Sequence, residues 1–345
     1  MKKKVLITGG CGYIGSQIAL EMLRGDKFEP VSIDNFCNSS STIPDQVQNL
    51  TGKRYKNYNI NLLASEALRV VFEEHEFYGL IHLAALKSIP QSLKYPLKYY
   101  ENNIISLTNV LKYCHEFKVP KLVFSSSCSV YGAEAEFPVD EQSPVADRQA
   151  SSYSNTKKIG EEIVRDFSAG LDINCIILRY FNPAGSDHTG ELGETPSEES
   201  GFIPKIVWKA MKGELIEIYG EDYDTRDGTC VRDFIHIQDL AEAHIQALST
   251  TDTDQVEVIN VGSGNGMTVL EVAEALKRRL AGVRFEYRNR RIGDIPCIFS
   301  DNTHAMTKLQ WVPRLGLEEI LDSQIKWTNT YLSRTNEDVI GNEIV

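Results

Sequence analysis

No Cys-x-x-Cys and no His-x-x-x-His occurs anywhere in the 345 residues, so neither a zinc knuckle nor a helical metal motif can be read from the chain. Its seven cysteines (Cys11, Cys37, Cys114, Cys128, Cys175, Cys230, Cys297) are odd in number and widely spread. That pattern does not make a disulfide framework. No metal is expected. No run approaches the ~20 apolar residues needed to cross a bilayer. The apolar stretch after the lysines of "MKKKVLITGG" is too short for a secretory signal. No membrane partner is therefore expected, and the cytoplasm is the expected compartment. A basic excess is also missing, because the formal net charge is −12. Nucleic acid, whose phosphates require a basic surface, is excluded as a partner. Any anionic substrate must instead be held by a few placed cations.

What is present is the composition of a globular protein, with 42% apolar and 24% charged residues. Short apolar runs at 5–8, 31–34, 55–60, 80–85, 121–127 and 173–180 alternate with amphipathic stretches, clearest at 14–24, 65–76, 97–118 and 153–168. Unbroken β-branched runs separated by helices indicate a parallel sheet covered on both faces. Right-handed crossovers make that a doubly wound α/β fold. After Asn182 the chain turns polar and turn-rich, and shorter elements follow, including a helix at 268–280 opened by a capping box from Thr268 to Glu271. The spacing predicts a dinucleotide-binding (Rossmann) domain over 1–181, to which 231–262 returns, and a smaller C-terminal α/β lobe over 182–345.

"VLITGGCGYIGSQIALEML" reads strand, glycine turn, helix, with Gly9, Gly12 and Gly15 three residues apart. Such glycines let the backbone turn tightly and approach a pyrophosphate seated on the first N–H groups of the helix. Nineteen residues beyond Gly15 the second strand ends at Asp34. A carboxylate there holds ribose hydroxyls and repels a 2′-phosphate, which favours NAD over NADP.

At the other end, "FSSSCSVYG" closes the fifth strand, and "SSYSNTKKIGEEI" then places Tyr153 one helical turn ahead of Lys157. A Tyr-x-x-x-Lys pair is by itself also an ordinary surface pairing. In an open α/β sheet, however, the ligand crevice lies beyond the carboxyl ends of the strands, where this helix, the serine run and the glycine turn converge.

Taken in this order, the glycine turn, Asp34, the serine run and Tyr153/Lys157 resemble the extended short-chain dehydrogenase/reductase family. "NFCNSS" (35–40), "LKYYENNI" (97–104), "RYFNPAG" (179–185), "GEDYDTRDGTCVRDFIHIQDLAEAH" (220–244) and "RRIGDIP" (290–296) are similar to its UDP-hexose 4-epimerases. The resemblance covers nearly the whole chain. It implies NAD as cofactor, a UDP-sugar as substrate, and a homodimer, with the helices at 97–118 and 153–168 either forming its seam or serving equally as core helices. It also implies that Tyr153 is the base, that Lys157 lowers its pKa and binds the nicotinamide ribose, and that Ser127 bonds the reacting hydroxyl. For the cofactor it implies Gly9, Gly12, Tyr13, Ile14, Gly15, Asp34, Asn35, Asn59, Ile60, Leu83, Lys87 and Asn102, with Lys87 on the pyrophosphate and Tyr180 at the nicotinamide. For the substrate it implies Asn182 in the sugar-nucleotide site and Arg232, Arg291 and Asp294 on the diphosphate and uridine ribose. Ile298 then stands beside the 2-substituent of the sugar.

Two positions depart from the family pattern. Asn59 stands where relatives carry an aspartate on the adenine, and Gly201 where they carry an asparagine on the nucleotide. Among related chemistries, a 4,6-dehydratase needs an Asp-Glu pair just after the strand-five serine, where this chain has Cys128 and Ser129. A uronate epimerase or decarboxylase would want a further cation for the sugar carboxylate. A non-catalytic NAD sensor would not need the Tyr/Lys pair.

The pair itself can be weighed. Moving a tyrosine from its usual ~10 to ~7 requires about 4 kcal/mol in favour of the phenolate. One cation about 5 Å away at an effective dielectric of ~20 supplies roughly 3 kcal/mol. Lys157 and an oxidised nicotinamide are two such cations. The shift is therefore expected only with oxidised cofactor in place.

Overall fold

The apolar runs of the first half become strands largely buried on both faces, except the edge strand at 56–58, none of whose residues is buried. The computed structural model describes residues 2–132, 135–171, 173–197, 200–250, 256–291 and 294–342. Strands β1 (Lys3–Thr8), β2 (Phe28–Ile33), β3 (Lys56–Tyr58), β4 (Gly79–His82), β5 (Lys121–Ser127) and β6 (Asn174–Tyr180) are followed by β7 (Asn182–Ala184), β8 (Ile216–Tyr219), β9 (Val231–His236) and β10 (Val256–Val261). Seven of these form one parallel sheet in the order β10-β6-β5-β4-β1-β2-β3. The order runs outward from β1 in both directions, so a crevice opens at the carboxyl ends beside β1.

Helices α1 (Tyr13–Arg24), α2 (Ile43–Thr51), α3 (Ser65–Glu74), α4 (Ile89–Lys94), α5 (Pro96–Tyr100), α6 (Ser106–Glu116) and α7 (Ser152–Leu171) make the crossovers, with α8 (Phe202–Met211) and α9 (Ile237–Ser249) following. On one face of the sheet, Ile18 and Met22 of α1 share an apolar cluster with Leu240 and Ala243 of α9. On the other face, Leu68, Leu107, Val110 and Val164 of α3, α6 and α7 pack over Leu6, Leu80 and Ile177.

Of the segment 231–262, α9 and β10 lie with the large sheet. Strand β9 instead centres a second sheet with β7, β11 (Gly266–Thr268) and, beyond β12 (Phe285–Arg288), β13 (Cys297–Ile298). Helix α10 (Val269–Arg279) carries the expected capping box, with Thr268 Oγ1 accepting from Glu271 N–H at 3.0 Å and a Glu271 carboxylate oxygen accepting from Thr268 N–H at 2.8 Å. Helices α11 (Thr303–Lys308) and α12 (Leu317–Asn342) complete the chain.

Two features differ from the sequence reading. Helix α2 has no counterpart in the apolar pattern, because most of its residues are polar and only Pro44 and Val47 are buried. The single helix expected at 97–118 is two helices joined by a π-turn at Glu101–Ile105. A π-turn inserts one extra residue per hydrogen bond and re-aims the side chains around it.

Candidate active site

Where β1 runs into α1, Gly9 has φ +73°, and a Cβ there would sit 3.1 Å from the Ala84 nitrogen. A Cβ on Gly15 would lie 2.2 Å from the Gly9 carbonyl oxygen. Only glycines permit this turn. Gly12 caps α1 without a side chain, so the first N–H groups of the helix stay open. They face a cavity of about 410 Å³ whose lining includes Gly9, Gly12, Tyr13, Ile14, Gly15, Asp34, Asn35, Ile60, Leu83, Lys87 and Asn102. From below, the buried Tyr55 hydroxyl donates to the Gly10 carbonyl at 3.0 Å and lies 3.6 Å from Cys11 Sγ.

Asp34 is held in place by its neighbours. One carboxylate oxygen accepts from Cys11 N–H (3.0 Å), the other from Phe36 N–H (2.9 Å) and from the Ser39 hydroxyl (2.9 Å). Carboxylate oxygens accept several bonds each, so this rigid pair keeps capacity for the two hydroxyls of a ribose. Open helix N–H groups, a backbone cradle and a fixed carboxylate together fit a dinucleotide. Asn59 departs from the expected set. It does not line this cavity but a shallow adjoining cleft, with Phe36, Arg54, Tyr55 and Lys56.

Ser127 ends β5, and Tyr153 is the second residue of α7. Tyr153 keeps part of its surface open, while its hydroxyl is enclosed and hydrogen-bonded to Ser127. That enclosure pushes the phenol up to about 12, against a downward pull from the Ser127 bond. Lys157 is buried, its Nζ donating to the Ser125 carbonyl at 2.6 Å and standing 5.9 Å from the centre of the Tyr153 ring. Burial pushes Lys157 down to about 7, while the Glu161 carboxylate one turn further along pulls it up. Tyr180 is buried in the next strand. Since Nδ1 of His244 faces the Leu240 carbonyl at 2.8 Å and therefore donates, its Nε2 accepts the Tyr180 hydroxyl at 2.9 Å. Neither Tyr153, Lys157 nor Tyr180 borders the 410 Å³ cavity directly; Tyr99, which does, stands near enough to Tyr153 to add slightly to the upward push on its phenol.

Under α7 lies a closed ion cluster. Glu161 accepts from Arg179 Nε (2.9 Å) and Nη2 (2.7 Å), from Arg165 (3.3 Å) and from the Ser126 hydroxyl. These bonds hold its carboxyl below the usual range despite burial.

The second lobe supplies the remaining positions. Asp294 pairs with Arg291 at 2.9 Å and stands 4.0 Å from Arg232, whose Nη1 also donates to the carbonyls of Val231 and Ile295. Asn182 donates from Nδ2 to the Asp233 carbonyl at 2.8 Å. Ile298 lies opposite Arg232 in the β9–β13 register and is packed with Val130, Tyr131, Val139 and Phe181 at 5% exposure. Gly201 caps α8, and a Cβ there would meet nothing closer than 3.8 Å.

Three residues of the site were not legible in the sequence. Glu194 and Tyr99 line the cavity, and Asn103 bonds both backbone groups of Leu86 and the Thr156 hydroxyl. Tyr99 and Asn103 flank or lie in the π-turn, whose geometry no spacing rule announces. Glu194 belongs to a polar stretch without periodicity. Among the described residues no group of three His, Cys, Asp or Glu could hold a metal, and no helix is long and apolar enough to cross a membrane.

A glycine turn on an open helix end, a strand-end carboxylate and a Ser-Tyr-Lys set define a dinucleotide-dependent enzyme class. The model of the NAD dependent epimerase/dehydratase family matches residues 5–262, and the chain belongs to that family. The chain is similar to the UDP-glucose 4-epimerase of Bacillus subtilis (38% identical over 94% of this chain and 97% of the relative) and to that of Dictyostelium discoideum (37%, over 94% and 95%). Among solved structures it superposes on a UDP-glucose 4-epimerase from Stenotrophomonas maltophila with bound NAD (TM-score 0.91, 34% identical, over 96% and 99% of the two chains). It also superposes on one from Bifidobacterium longum in complex with NAD+ and UDP (0.89, 33%, over 95% and 98%).

Proposed function

We propose that the protein is an NAD-dependent UDP-hexose 4-epimerase. The observation that carries this is the Ser127–Tyr153–Lys157 set at the carboxyl end of a sheet whose glycine turn and Asp34 fit a dinucleotide. Bound NAD would supply a hydride acceptor for C4 of the sugar and a donor for return of that hydride to the opposite face of the 4-keto sugar. Gly9, Gly12, Gly15, Asp34 and Lys87 are assigned to holding it. Tyr153 takes the proton of the 4-hydroxyl and gives it back, with Ser127 orienting that hydroxyl. Lys157 supplies positive charge beside the phenol. Without a second cation, burial of the hydroxyl keeps the Tyr153 proton in place, so the base is armed only when oxidised cofactor is present.

Arg232, Arg291 and Asp294 are assigned to the diphosphate and uridine ribose. A hexose that must turn over needs few charges around it, and the apolar cluster at Ile298 and Phe181 suits that. Cys128, pushed up to about 12 chiefly by burial, supplies no acid for dehydration.

The protein is further proposed to act as a homodimer. Exposed Ile89, Leu93, Leu97 and Ile105 lie along α4, α5 and the π-turn, an apolar stripe of the kind that seeks a partner face. The deciding experiment incubates purified protein with UDP-galactose and no reductant. UDP-glucose is expected at a redox-neutral equilibrium, and its absence from protein loaded with NAD would overturn the assignment.

A further inference from the structure

The cofactor cavity is closed on one side by residues of the second lobe. After β7 the chain turns at Asp187, whose carboxylate accepts from the N–H groups of Thr189, Glu191 and Leu192, and returns as a strap. This strap places Gly193, Glu194 and Thr195 on the cavity wall. It is fastened behind to α12. Trp327 Nε1 donates to the Glu194 carbonyl at 2.6 Å, its ring lies where a Cβ on Gly193 would be (2.6 Å), and Arg334 pairs with Glu191. The strap is therefore rigidly mounted.

From it the Glu194 side chain, 9% exposed, reaches across to an ion pair with Lys87 of the opposite wall, and its other oxygen accepts from Gly201 N–H at 3.4 Å. Nearby, the Tyr13 hydroxyl at the start of α1 donates to the Gly185 carbonyl at 2.7 Å, a second tie between the glycine turn and the second lobe.

A carboxylate on the wall of a pocket for an anionic diphosphate is costly unless it does something for the ligand. Its charge is neutralised by Lys87, and the pair joins the two walls of the cavity, one from each half of the chain. We propose that Glu194 is a positioning residue that, through Lys87, clasps the dinucleotide in its site and slows its escape. This deepens the epimerase reading and rests on it, because a reaction that returns its own hydride fails whenever the reduced cofactor leaves between the two transfers. The clasp is anchored to α12, so retention of cofactor depends on a residue, Trp327, that touches neither cofactor nor sugar.

The test measures release of bound NADH by fluorescence after challenge with excess NAD, in wild type, Glu194→Gln and Trp327→Phe. Loss of one charged hydrogen bond should make release from Glu194→Gln about tenfold faster. Trp327→Phe, which keeps a ring against Gly193 but loses the N–H, should fall between the two. With NAD saturating, the loss in Glu194→Gln should appear as faster cofactor release rather than as a changed KM for the sugar nucleotide, and the melting temperature of its cofactor-free form should move little because Lys87 is largely exposed, which a merely structural role would not predict. Release as slow as wild type, or slower, from Glu194→Gln would overturn the clasp while leaving the epimerase reading intact. A wild-type protein that binds no NAD would overturn both.

Discussion

At the scale of single residues, the phenol of Tyr153 is the proposed base, and its surroundings decide when it can act. Burial alone moves it the wrong way for a base, and Lys157, itself pushed down by burial, is only part of the remedy. Tyr153→Phe keeps the ring and the pocket shape but cannot take a proton. Turnover should fall by about a thousandfold or more, with sugar-nucleotide affinity nearly unchanged by calorimetry. Lys157→Met should lower activity and shift the pH–rate profile upward. Substantial activity in Tyr153→Phe would show that another group is the base. Ile298 poses a different question, because it is packed in an apolar cluster and also stands in register with Arg232. We expect UDP-glucose and UDP-galactose to be the main pair and the N-acetylated pair to turn over more slowly. In Ile298→Tyr the N-acetylated pair should be lost selectively; an equal loss for both pairs would mean that the residue acts only through packing.

At the scale of elements, α7 does two jobs with one amphipathic face. Tyr153 and Lys157 lie toward the crevice, and one further turn along Glu161 binds Arg179 of β6 in a fully enclosed ion pair. Removing one partner of such a pair strands a buried charge, so Glu161→Gln should cost about 3–5 kcal/mol in urea unfolding. A cost below about 1 kcal/mol would show that Arg179 finds another partner. The same variant removes the carboxylate that pulls Lys157 up, so Lys157 should lose its charge at lower pH and any residual activity should show that shift in its pH–rate profile. Helix α1 is the complementary case. Its sequence announces its role through the glycines, because their steric reasons are local to the turn.

At the scale of the whole molecule, three buried histidines set the acid limit of stability. Burial pushes His82 down to about 3 and His236 and His244 down to about 4. Each folded-state value lies below the unfolded ~6.5, so the unfolded chain binds more protons as pH falls beneath that value, and stability is lost by about 1.4 kcal/mol per pH unit per group. Glu141 and Asp239, raised by burial, act in the opposite sense nearer their own range. The urea midpoint should therefore decline between about pH 6.5 and 5; a flat profile there would contradict the burial of these rings. Assembly is the second global property. Leu97, 73% exposed, is the most exposed of the apolar stripe on α4 and α5. Leu97→Glu should convert a dimer into single chains by light scattering. A wild type already monomeric would remove the proposed dimer.

The sequence by itself determined the parallel sheet, the glycine turn, Asp34 and the Tyr153–Lys157 pair, because each depends on contacts within a few residues or on a period that can be counted along the chain. Even the capping box at Thr268 is of this kind. Only the tertiary structure decided that Asn59 turns to a separate cleft, that a π-turn divides the helix expected at 97–118, and that β9 centres a second sheet while α9 and β10 lie with the first. Glu194 belongs to the same group. It lies 107 residues from Lys87 in a stretch without periodicity, and nothing local to either residue records that the fold brings a strap of one lobe against a loop of the other.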